Sequence, residues 1–102
     1  MYQPGASLIT LDSHISIPDE VLFREVGGEA VILQQETGKY YGLDEVGTRM
    51  WSLLTEHGNV HAAYEALLDE YDVAPERLEQ DLLAFIEDLA SHDLLQIRTD
   101  PS

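Results

Sequence analysis

The chain has 102 residues, 44% of them hydrophobic, and a net charge of −15 from 20 Asp and Glu against five Lys and Arg. That length fits one domain with a real core but no deep substrate cleft, and such acidity argues against binding phosphate backbones, which needs clustered Lys and Arg. Without cysteine there are no disulfides, thiolate nucleophiles or Cys-ligated zinc, and with no span-length apolar run or signal peptide a soluble, cytoplasmic chain is expected.

Residues 1–8 contain Pro4, Gly5 and Ser7 and are expected to be a flexible N-terminus. The single domain is expected over residues 9–98, with 99–102 as a tail. Ile9 to Ile17 alternates weakly and is closed by Pro18-Asp19. Three strand-like runs follow. Val21 to Val26 is the first, and Gly27-Gly28 after it is a two-residue hairpin signal, because both positions tolerate positive φ. Ala30 to Gln35 is the second and is rich in β-branched residues. Glu36-Thr37-Gly38 turns the chain, with Gly38 at the left-handed position. Lys39 to Leu43 is the third. The pattern predicts a three-stranded antiparallel meander.

At Asp44 the period changes from two to 3.6. The Asp44 carboxylate suits a helix N-cap. Val46, Met50, Leu53 and Leu54 share one face with Trp51 beside them. Gly58 ends this helix and Asn59 caps the next, whose stripe is Val60, Ala63, Tyr64, Leu67, Leu68 and Tyr71. Pro75 opens a third helix, where its missing N–H costs nothing. Its stripe is Leu78, Leu82, Phe85, Ile86 and Leu89, and it should stop near Ser91 to Asp93. Leu94 to Arg98 reads as a short last strand or an extended tail. The architecture predicted is α+β: a three-stranded antiparallel sheet followed by three helices, in the manner of a winged helix-turn-helix.

Catalytic chemistry finds little support. His57 and His61 are four residues apart, but Gly58 and Asn59 break the helix between them, and no third ligand has metal-site spacing. Surface histidines are the simpler reading. The serines lack a base in any local signature of a nucleophile, and the carboxylates fall on the polar faces of helices. No metal or cofactor is expected. DNA binding, common among winged helices, is opposed by Glu65, Asp69, Glu70, Asp72, Glu79, Asp81, Glu87 and Asp88 on the candidate recognition helices. The same charge would attract basic partners and speed their encounter.

Strand addition is the remaining chemistry. The last strand of a meander leaves one edge free to template another chain, and only Lys39 blunts this one. On residue chemistry alone, ordinary core positions are the favoured reading of Tyr40, Tyr41 and Leu43.

Three segments carry a resemblance: TGKYYGLDEVGTRMWSLL, GNVHAAYEALLDEYDV and LLAFIEDLASHDLL. In order and spacing they resemble the PqqD-like family, the leader-peptide recognition elements of ribosomal peptide biosynthesis. Asp44 stands where that family commonly has Asn, which keeps the cap. The resemblance implies a winged-helix-like fold, no enzymatic activity, and a leader peptide added as a strand along the third strand and packed on the third helix. Carried onto this chain, Lys39, Tyr40, Tyr41, Gly42, Leu43 and Asp44 would present the edge. Leu78, Leu82, Phe85 and Leu89 would line the apolar wall, and Asp81 and Asp88 would attract basic leader residues. Alternation allows either Tyr40 or Tyr41 to point into the core. The helix from Val46 to Leu54 is expected to be scaffold. The implied partners are a basic, partly apolar leader peptide and a leader peptidase or other maturation enzyme. A lasso-peptide pathway is favoured over assistance to a radical SAM enzyme in pyrroloquinoline quinone synthesis. A regulatory winged-helix domain acting through protein contacts is a further alternative.

Overall fold

The computed structural model describes residues 9–98. The flexible N-terminus expected over 1–8 and the tail over 99–102 lie outside them. Eight elements follow in order: β1 (His14–Ser16), β2 (Val21–Val26), β3 (Glu29–Gln34), β4 (Lys39–Leu43), α1 (Glu45–His57), α2 (Val60–Glu70), α3 (Pro75–Ser91) and β5 (Gln96–Arg98). The main sheet is an antiparallel meander in the order β2-β3-β4, followed by three helices. This is the α+β architecture the sequence predicts.

Local chemistry sets the joints. Gly27 and Gly28 both hold positive φ, 64° and 88°, which makes the two-residue turn that pairs Val26 with Glu29. Gly38 at φ 75° closes the next turn, and its N–H donates to Gln34 O at 2.8 Å. Asp44 follows β4 directly and caps α1, its Oδ1 accepting from Gly47 N–H at 2.8 Å. Gly58 ends α1 in the left-handed conformation, and Asn59 caps α2 through Ala62 N–H. His57 and His61 therefore sit on two different helices. Among the described residues, no group of three or more His, Asp or Glu could hold a metal ion.

The core lies between one face of the sheet and the helices. Ile32 and Ala30 from β3 meet Leu54 and Leu53 from α1, Val60, Ala63 and Leu67 from α2, and Leu82, Ile86 and Leu89 from α3. Phe23 on β2 stacks over Trp51, with ring centroids 5.8 Å apart. Gln34 is buried at the end of β3, and both ends of its amide are used: Nε2 donates to Asp93 O and Oε1 accepts from Glu36 N–H, each at 2.8 Å.

The sequence did not reveal a second, two-stranded sheet. β1 pairs antiparallel with β5, Ile15 opposite Ile97, joining the two ends of the described chain. The same segment straps the α1–α2 turn, with Ile15 N–H donating to Gly58 O and Val60 N–H to Ser13 O. Two other expectations shift. Tyr71 lies beyond the last turn of α2 and is partly exposed, and Val46 is 44% exposed rather than core. No described helix is long and apolar enough to cross a membrane.

Candidate functional site

β4 pairs only with β3, so its far side carries unpaired backbone N–H and C=O groups among the described strands. Its register sorts the side chains. Tyr41 lies opposite Ile32 and Leu43 opposite Ala30, on the helix side of the sheet. Tyr40 lies opposite Leu33 on the outer side and is 74% exposed. Of the two tyrosines, Tyr41 is the one that faces inward.

Beside this edge runs an open groove of about 470 Å³. β4 contributes Tyr41, Gly42, Leu43 and Asp44, and α3 contributes Asp81 and Phe85. The first turns of α1 supply Val46, Gly47 and Met50. The floor is thus apolar, from Leu43, Met50, Val46 and Phe85, while carboxylates stand at Asp44 and Asp81. Asp81 pairs with Arg77 Nε at 3.4 Å, but both side chains are well exposed. Such a pair is weak and easily exchanged for another cation.

Asp88 has a different task. Its carboxylate accepts a hydrogen bond from the Tyr41 hydroxyl, and His92 meets the Tyr41 ring edge-on with centroids 5.2 Å apart. These contacts tie β4 to the C-terminal end of α3. The hydrogen bond to Asp88, helped by burial and by the charge of that carboxylate, pushes the Tyr41 pKa up to about 12. Asp88 is thus tied to Tyr41 in the wall while its side chain stays half exposed.

The expected site residues divide accordingly. Tyr41, Gly42, Leu43, Asp44, Asp81 and Phe85 come together around the groove. Leu78, Leu82 and Leu89 are 5%, 0% and 0% exposed and belong to the core, so Phe85 alone of the predicted apolar stripe faces the groove. Lys39 and Tyr40 lie on the strand but not in the groove lining. α1, expected to be scaffold, also contributes to the groove, which Val46, Gly47 and Met50 line. The signal was present in the sequence. With Asp44 capping α1 directly after Leu43, no linker separates strand from helix, so the first turn must lie at the end of the strand.

Residues 29–95 match the family model for "Coenzyme PQQ synthesis protein D (PqqD)". The chain belongs to the PqqD family. The match runs from β3 to the turn after α3 and so includes every element that builds the groove. Two solved structures are similar to it. "TbiB1 in Complex with the TbiA(beta) Leader Peptide" is 40% identical, with 78% of this chain and 93% of that chain covered and a TM-score of 0.75. "Lasso peptide synthetase B1 complexed with the leader peptide" is 18% identical, covers 81% of this chain and 98% of that one at a TM-score of 0.74, and shares the fold. No curated protein matches the chain. For this PqqD-family chain the groove and the strand edge beside it are the candidate site.

Proposed function

We propose that the protein is a non-catalytic carrier that captures the leader segment of a ribosomally made precursor peptide and presents it to processing enzymes. The observation that carries this reading is the apolar groove beside an unpaired strand edge. A peptide added to β4 at the usual strand spacing would gain main-chain hydrogen bonds from the edge and place alternate side chains over Phe85, Met50 and Val46. Asp44 and Asp81 would favour a leader with basic residues flanking its apolar ones. Lys39, Tyr40, Tyr41, Gly42, Leu43 and Asp44 form the docking edge in this reading. Phe85 and Asp81 form the facing wall, braced by Asp88 through Tyr41.

Relatives solved with leader peptides support a lasso-peptide pathway, in which a leader peptidase and a cyclase would be the enzymes served. The family description supports a second reading, a peptide chaperone for a radical SAM enzyme in pyrroloquinoline quinone synthesis. Calorimetric titration with synthetic leaders of both precursor types separates the two. The lasso-type leader is expected to bind and the other not; no binding of either at tens of micromolar overturns leader capture.

A further inference from the structure

The outer face of the main sheet, turned away from the helices, is unusual for an acidic protein. Leu22, Val26, Val31 and Tyr40 all project from it, at 49%, 73%, 43% and 74% exposure. Its charged residues are Arg24 and Glu29, which balance, although the chain as a whole carries −15. A sheet covered on one face normally turns polar residues to water on the other. Here the exposed apolar area is on the order of several hundred Å², at the upper end of what a monomer leaves uncovered without a use for it. A cleft of about 570 Å³ crosses this face between Arg24, Val26, Val31 and Gly42. It reaches Leu43 and Asp44, which also line the groove on the other side of β4.

We infer that this outer face is a second docking surface, whose occupant is the folded maturation enzyme that receives the leader. The inference rests on the leader-capture reading for the identity of that partner. The chemistry required of the enzyme is an apolar patch with a carboxylate to meet Arg24. Continuity with the leader edge selects this occupant. A leader added to β4 becomes the fourth strand of the same sheet, and its outward side chains extend the same face past Tyr40 and Gly42. An enzyme seated there touches sheet and leader together. A second copy of the chain fits less well. The bare patch is short of the roughly 800 Å² per partner of a stable interface, and two chains of −15 repel each other. A membrane surface would need a cluster of cations where this face has Arg24.

The test uses two double variants on β2, the strand farthest from the leader edge: Leu22→Lys/Val26→Lys, and the neutral Leu22→Thr/Val26→Thr. Both positions are exposed, so the fold is retained. The probe is the purified leader peptidase of the same pathway, titrated onto the chain loaded with leader. Leader affinity is expected to stay within about twofold in both variants, and peptidase affinity to fall tenfold or more. Undiminished peptidase binding in both variants, or no peptidase binding by the leader-loaded wild type, overturns the inference while leaving leader capture standing. Failure of the wild type to bind leader sinks that earlier reading instead. Sedimentation showing a wild-type dimer that the Lys variant dissociates would assign the face to a second copy and likewise overturn it.

Discussion

Leu82 and Phe85 lie one turn apart on α3, and the structure gives them opposite work. Leu82 is 0% exposed within the core, whereas Phe85 is half-buried and faces the groove. Leu82→Ala removes fully buried methyl groups and should cost about 2–5 kcal/mol of stability. A domain of this size holds only about 5–15 kcal/mol in all, so the melting temperature should fall by roughly 10–30 °C. The folded fraction should still bind leader as the wild type does. Phe85→Ala acts differently. Fully burying a phenylalanine contributes roughly 1.5–3 kcal/mol, and a bound leader can cover only the part of Phe85 that remains exposed. That leaves about 1 kcal/mol, or roughly fivefold in Kd. Urea unfolding gives the first quantity and calorimetric titration of leader into folded protein the second. A folded Phe85→Ala protein with unchanged affinity would remove Phe85 from the groove wall. A Leu82→Ala protein that is folded yet binds as weakly would show that the division of this face between core and groove is wrong.

Tyr41 should ionise near pH 12, and Asp88→Asn should bring its titration back toward the ordinary value of about 10, read from tyrosinate absorbance. Because the folded value lies above the unfolded one, the stability that this contact contributes is complete below about pH 10 and is lost as pH rises through about 12; urea melts across that window should show a loss that Tyr41→Phe reduces. Thr48 is 4% exposed and its Oγ1 has no hydrogen-bond partner among the described residues, so Thr48→Val should leave the protein as stable or raise its stability by about 1 kcal/mol in the same melts. Arg49 makes a two-pronged ion pair with Glu70, which holds the Glu70 carboxyl below its usual range. Glu70→Gln should therefore lower stability slightly near neutral pH, and the difference should vanish in high salt and as pH falls through the folded Glu70 value.

Much of this molecule follows from local chemistry. The Gly27-Gly28 turn, the left-handed Gly38 and Gly58, the Asp44 and Asn59 caps and Pro75 at the start of α3 each act within a few residues. Their effects can be worked out from the chain alone, which is why the meander and the three helices were legible. The apolar stripe of α3 was legible too, but not its division. Leu78, Leu82 and Leu89 fall to the core and Phe85 to the groove because of where β4 and α1 lie against the helix. Likewise the choice between Tyr40 and Tyr41 depends on the pairing of β4 with β3, since shifting a strand by one residue turns every side chain to the other face.

The ends of the described chain mark the same limit. His14–Ser16 and Gln96–Arg98 are short, weakly patterned runs that become strands only because they meet each other, with some eighty residues between them. Nothing local announces that partnership. By itself, then, the sequence determined the three strands of the meander, the three helices, their order, their caps and a strong net acidity. Tertiary structure alone decided which side chains border the groove, how Asp88 is used, and that the sheet has an apolar outer face. Turns and caps depend on neighbours along the chain, whereas a groove and a face depend on neighbours in space.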